Sequence, residues 1–267
     1  MNSNNPFEVH GIDHLSPFSI NTFIDDKAKW VMRYLFGYSS GGGPAMWRGT
    51  AVDDAIGAYF GLSKKENKLY TEEEALNLCK SIYKEKLVKC NKDFPDQIID
   101  ESKYELENSR LERYFKTALD FYEDLGQPKD HQIRIDLQLP DLPVPIQGWI
   151  DLLYEDTLRD IKTTARSLSK VSDAHARQVS VYAKAMECVP ILDYIVVTAK
   201  DEKVISFTIE DVDKHIQTVE QVAYSIMTFL SYSNDKYELA NSCYPNIDDW
   251  KWGEEDINFA KTIWSIK

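Results

Sequence analysis

The sequence predicts a mixed α/β fold, a central mixed β-sheet flanked by helices behind a helical N-terminal region. Three observations carry that expectation. Residues 147–164 read as two β-rich runs around a polar pair, residues 191–198 form a dense apolar run, and the helical pattern of residues 172–187 lies between them. Strand, helix and strand in that order make a crossover within one sheet, whereas residues 1–128 carry mainly helical spacing. No Pro/Gly/Ser-rich linker divides the 267 residues, so a single domain is expected over 1–267. Its parts are a helical N-terminal portion (1–128), a sheet core (129–208) and C-terminal helices (209–267).

In chain order, Ser16-Pro17 starts a helix to Tyr38, with Phe18, Phe23, Trp30, Tyr34 and Leu35 on a core-facing stripe. Gly41-Gly42-Gly43-Pro44 breaks it; no Gly-Lys-Ser/Thr follows, which excludes a phosphate-binding P-loop. Trp47–Ile56 reads as the next helix. Thr71–Lys89, with Thr71 and Glu74 as a capping box, and Gln97–Leu125 read as two more. Their apolar faces (Leu76, Ile82, Tyr83 and Leu87, then Phe115, Leu119 and Tyr122) carry no recognisable chemistry. His131–Leu139 alternates polar and apolar residues, the pattern of a strand with one buried face; His131 is expected to be structural or exposed. Ser172 starts the helix to about Glu187, on which His175, Gln178 and Tyr182 share a face. Ile191–Thr198 and Val204–Thr208 form a hairpin across residues 200–203, and Ile209-Glu210-Asp211 opens a long helix to about Tyr232. A terminal helix and the tryptophans around Trp250 and Trp252 are expected to pack back on the body.

The candidate chemistry lies in residues 147–164. If Glu155 and Asp156 are the loop, Tyr154 faces Thr157 and Asp151 falls opposite Asp160. Lys162 points to the same side as Asp160, because side chains alternate along a strand. Two carboxylates about 5 Å apart repel unless something offsets the repulsion. A divalent cation would do so: carboxylate oxygens suit Mg²⁺ or Mn²⁺, which can activate water toward a phosphodiester. Lys162 could orient that water or stabilise charge on the phosphate. An acid-x-Lys tripeptide is weak alone, since 44 acidic and 31 basic residues give roughly five by chance. A second aspartate at the facing register, within an apolar hairpin, strengthens it. The competing reading is a solvated hairpin with ordinary surface charges.

Gly148-x-x-Asp151, Asp160-Ile161-Lys162 and Gln178-x-x-x-Tyr182, in this order, resemble the PD-(D/E)XK nuclease superfamily in its RecB-like and Cas4-like exonuclease branch. The resemblance implies a restriction-endonuclease-like core and a Mg²⁺- or Mn²⁺-dependent deoxyribonuclease, an exonuclease rather than an endonuclease. It also implies that Asp151, Asp160 and the Ile161 carbonyl hold the metal, that Lys162 assists the water, and that Gln178 and Tyr182 support the site or contact DNA. RecB-like members have Gly-x-x-x-His where this chain has Gly49-Thr50-Ala51-Val52-Asp53. Asp53 is an oxygen ligand in the place of that His, or one of a solvent-facing Asp53-Asp54 pair. Some relatives carry an iron–sulfur cluster. Here Asp25-Asp26-Lys27-Ala28 has no cysteine and the tract 241–245 has only Cys243, so no cluster is expected. The implied substrate is single-stranded DNA or duplex ends, in phage or bacterial DNA recombination or repair, with a recombination or replication protein as a further partner. A catalytically inactive nuclease-fold module that binds DNA or protein is the alternative; an RNA nuclease with the same site is a third.

The net charge of −13 argues against nucleic acid, because phosphate binding rests on clustered Lys and Arg. The acids concentrate in residues 72–124 and 248–256, leaving Arg159, Lys162, Arg166, Lys170 and Arg177 as a local basic track. The four cysteines lack Cys-x-x-Cys spacing, so neither disulfides nor a zinc site is indicated. No apolar run reaches membrane-spanning length and the polar opening is not a signal peptide, so a cytoplasmic protein without membrane association is expected.

Overall fold

The structure, a computed structural model, describes residues 5–64 and 68–266. Five strands form one sheet in the order β1-β2-β3-β4-β5: β1 (Asp130–Leu137), β2 (Ile146–Leu153), β3 (Thr157–Thr164), β4 (Val189–Val197) and β5 (Glu202–Thr208). β2/β3 and β4/β5 are antiparallel and β3/β4 is parallel, which makes the sheet mixed. A parallel pair needs a crossover, and α7 (Asp173–Met186) supplies it. Ser172 caps α7 by accepting from the His175 backbone N–H. The expected α/β class and crossover are both present.

The hairpin has the register that a two-residue loop imposes. Leu152 pairs with Arg159 and Leu153 with Leu158, and the Tyr154 N–H donates to the Thr157 carbonyl at 2.9 Å. The β3/β4 ladder sets Asp160 beside Leu192, Ile161 beside Asp193 and Lys162 beside Tyr194.

The chain divides into two compact units. One comprises Ser40–Ile135 and Trp149–Glu210. Its helices are α4 (Pro44–Tyr59), α5 (Glu72–Asp93), α6 (Glu101–Leu125) and α7. Trp47, Ile56, Tyr83, Leu111, Tyr114, Phe115 and Tyr122 pack with Leu152, Ile161 and Ile195 into a core between α4–α6 and the sheet. Each large apolar side chain buried there contributes about 1.5–3 kcal/mol. Buried Arg48 fastens α4 to β3: its Nε donates to the Thr163 hydroxyl at 3.1 Å, one NH₂ to the Thr163 carbonyl at 2.9 Å, and the other pairs with Glu107 of α6.

The other unit comprises Met1–Ser39, Asp136–Gly148 and Asp211–Lys267. It holds α1 (Pro6–Val9), α2 (Pro17–Asp25), α3 (Lys27–Leu35), α8 (Val212–Ser231), α9 (Lys236–Asn241) and α10 (Glu254–Ile263). The single helix expected over 16–38 is broken at Asp26, which takes extended backbone angles and caps α3 through the N–H groups of Ala28 and Lys29. Phe23 and Trp30 meet Phe229 edge-on, but Phe18 is exposed rather than core-facing. Trp252 and Trp264 pack inward as expected, whereas Trp250 stands out in solvent. All four cysteines are free thiols. Among the described residues no helix is long and apolar enough to cross a membrane.

Candidate functional site

The hairpin, α4, β1 and α7 bring the predicted residues to one place in the sheet-bearing unit. Asp160 and Lys162, two positions apart on β3, pair at 2.5 Å. Asp160 is 1% exposed, and its Oδ2 has no hydrogen-bond donor apart from that ion pair. Asp151 lies alongside, its Oδ2 accepting the Ile161 backbone N–H at 2.7 Å. The Asp151 carboxyl is pushed well above the usual carboxylate range, first by burial and then by the charges of Asp53 and Asp160. Burial alone would lower the Lys162 ammonium; Asp160 and Asp151 together outweigh it and hold the pKa above that of a free lysine.

Asp53 belongs to this cluster. It is buried, which removes the solvent-facing reading, and its neighbours were not foreseen. His131 Nε2 lies 3.0 Å from Asp53 Oδ1, and the Gln132 amide donates both to Asp53 Oδ2 (2.5 Å) and to Asp151 Oδ1 (3.0 Å). His131 is buried, so the exposed alternative is also removed, and it orients Asp53. Its ring fits because residue 57 is glycine: a Cβ there would stand 2.3 Å from His131 Nδ1. Gln132 departs from regular strand geometry, with φ 51° inside β1. No local sequence pattern signalled these two roles.

On α7 the Gln178 amide donates to the Tyr182 hydroxyl at 2.9 Å. The Tyr182 phenol is raised by burial and then by the Asp160 charge, with the Gln178 bond acting against both. His175 Nδ1 lies 2.7 Å from the Tyr194 hydroxyl, and burial followed by the Lys162 charge lowers its pKa. Tyr194 is therefore a further supporting residue, after His131 and Gln132, that the sequence did not reveal. The structure thus gathers Asp53, Asp151, Asp160, Lys162 and Tyr182 within electrostatic reach, with Gln178 bonded to the last.

One expectation is overturned. Arg159 is no part of a basic track, since β3 turns it to the opposite side from Asp160 and Lys162. Its NH1 reaches both oxygens of fully buried Asp193, at 2.9 and 2.8 Å. Arg166 and Lys170 are exposed and Arg177 partly so.

The cluster fits a hard divalent ion. Its donors are oxygens, buried Asp160 has one partner among the described residues, Lys162, and the Asp151 carboxyl is destabilised as an anion by burial and then by Asp53 and Asp160. Among the described residues no three His, Cys, Asp or Glu side chains form a ready cage. Mg²⁺ does not require one, because it is commonly held by one or two carboxylates and keeps several waters.

A sequence profile of the PD-(D/E)XK nuclease superfamily matches residues 14–243. Among solved structures, a proposed exonuclease from Eubacterium rectale aligns over 92% of this chain and 88% of its own, at 12% identity and TM-score 0.49. SSO0001 aligns over 65% of this chain and 83% of its own, at 14% identity and TM-score 0.29. No curated protein matches the chain.

Proposed function

This chain belongs to the PD-(D/E)XK nuclease superfamily, and from that premise we propose that it is a Mg²⁺- or Mn²⁺-dependent DNA exonuclease. The observation that carries the reading is the buried Asp160 carboxylate, set beside Asp151 and with the Lys162 ammonium as its one partner among the described residues. In this reading Asp151, Asp160, the Ile161 carbonyl and Asp53 hold the ion. When bound, the ion supplies Lewis-acid charge that strengthens water as a nucleophile and offsets charge on the phosphodiester.

The chain's own groups do the rest. Because Lys162 is held protonated, it acts as a hydrogen-bond donor that orients water and steadies a phosphate oxygen, not as a base. Tyr182, its phenol raised, stays neutral and donates toward Asp160 or the phosphate, while Gln178 fixes its hydroxyl. His131 sets the angle of the Asp53 carboxylate. Exposed Arg166 and Lys170, on the loop after β3, meet the DNA backbone in this reading. DNA recombination or repair in a bacterial or phage cytoplasm, with a recombination or replication partner, is the setting that the RecB-like and Cas4-like motifs support.

The test is end-labelled single- and double-stranded DNA, linear against circular, with Mg²⁺ or Mn²⁺ and with EDTA. Cleavage of linear DNA that EDTA and Lys162→Ala both abolish supports the proposal; cleavage of circular DNA at an equal rate replaces exonuclease by endonuclease. A second reading, a non-cleaving module, is favoured by the Gln132 amide lying between Asp53 and Asp151. It is supported if the wild type binds DNA but cuts neither DNA nor RNA.

A further inference from the structure

Resting on the nuclease reading, we propose that the cavity beside the acid cluster receives one unpaired nucleobase next to the scissile phosphate, stacked on Trp149. The cavity holds about 410 Å³, and its lining includes Asp54, Lys64, Tyr70, His131, Gln132 and Trp149. That size falls in the roughly 300–1,000 Å³ range of small-ligand sites.

Two of its walls are the acid cluster's own partners. His131 and Gln132 line the cavity while hydrogen-bonding Asp53 and, for Gln132, Asp151. Trp149 precedes Asp151 by two positions on β2, so both leave the same side of the strand. Whatever fills the cavity is thus placed one side chain away from the carboxylates. Trp149 is 53% exposed, while Trp30, Trp47, Trp252 and Trp264 are buried. A large ring that lines a cavity and is left half in water is a surface for a planar partner.

Charge selects the occupant. The walls carry one carboxylate, Asp54, and Lys64 is already paired with Asp130 at 2.7 Å. Among the described lining residues, a phosphate group finds no net positive charge. A neutral, flat, hydrogen-bonding ring finds aromatic and aliphatic walls, with the polar Gln132 among the lining residues. Stacking tolerates any base, because every base has a π-face, so the site would grip a strand without reading its sequence.

The experiment measures equilibrium binding of single-stranded oligonucleotides in Ca²⁺, with an abasic unit moved through successive positions from each end, to wild type, Trp149→Ala and Trp149→Phe. The proposal expects one position where the abasic unit weakens wild-type binding at least about fivefold, the lower end of a base–aromatic stack. Trp149→Ala should lose that sensitivity and Trp149→Phe keep most of it, with unchanged melting temperatures. Equal binding at all abasic positions, or sensitivity that survives in Trp149→Ala, overturns the proposal. In either case wild-type cleavage in Mn²⁺ would leave the nuclease reading standing. Position-specific binding without any cleavage supports the base site and removes the nuclease reading; absence of DNA binding overturns both.

Discussion

Asp160 and Asp193 are buried carboxylates on adjacent parallel strands, separated by one step of the ladder. Asp193 is closed. Arg159 contacts both its oxygens, the Ser206 hydroxyl donates at 2.6 Å and the Tyr122 hydroxyl at 3.1 Å. Asp160 is open: among the described residues Lys162 is its one partner, at a single oxygen. Burying a charge is costly unless it is paired and hydrogen-bonded. A carboxylate that completes its partners internally holds the fold together, and one that leaves a site vacant is suited to a ligand.

The largest expected effect tests the closed side. Asp193→Ala strands the Arg159 guanidinium and should destabilise the chain by about 3–5 kcal/mol, read by chemical denaturation. Asp160→Asn should cost far less or stabilise the metal-free chain. Equal losses would erase the distinction.

Next is the open side's chemistry. Lys162→Ala should lower the cleavage rate about 10²–10³-fold, the scale for removing one donor that stabilises developing charge, with a melting temperature near that of wild type. A loss confined to KM would show that Lys162 binds substrate without assisting the reaction.

Metal should protect only through the open carboxylates. At a hundredfold excess over Kd, Mn²⁺ should add about 2.7 kcal/mol to stability, seen as a thermal shift that Asp151→Asn removes. A full shift in that variant would place the ion elsewhere.

The smallest effect is a pH dependence in EDTA. The Asp151 carboxyl is raised in the folded chain by burial, then by Asp53 and Asp160. Its contribution to stability is therefore fully present below its unfolded pKa of about 3.9 and is lost as pH rises through the folded value. The melting temperature of Asp151→Asn relative to wild type should accordingly climb as pH rises, and a flat difference would show that the neighbouring acids do not act on Asp151.

Much of the site was legible because it is local. A two-residue loop fixes the hairpin register, and strand alternation puts Lys162 on the side of Asp160. The same alternation put Arg159 on the other side, but its partner Asp193, 34 residues further on, lies on a strand whose pairing the sequence did not number. His131 and Gln132 were harder still, since their roles depend on a left-handed backbone at Gln132, φ 51°, and on a helix 78 residues earlier. Ser16–Tyr38 looked like one helix because apolar spacing continues through it, yet Asp26 gains more by capping α3 than by extending α2.

By itself the sequence determined the mixed α/β class and the hairpin, set by periodicity and turn length within a few residues, and it carried the three motifs in the order that resembles the family. Only the tertiary structure decided that Asp53 is buried beside Asp151, that Arg159 serves Asp193, and that Trp149 faces a cavity. Those outcomes follow from which distant side chains share a desolvated space, and no short-range pattern encodes that.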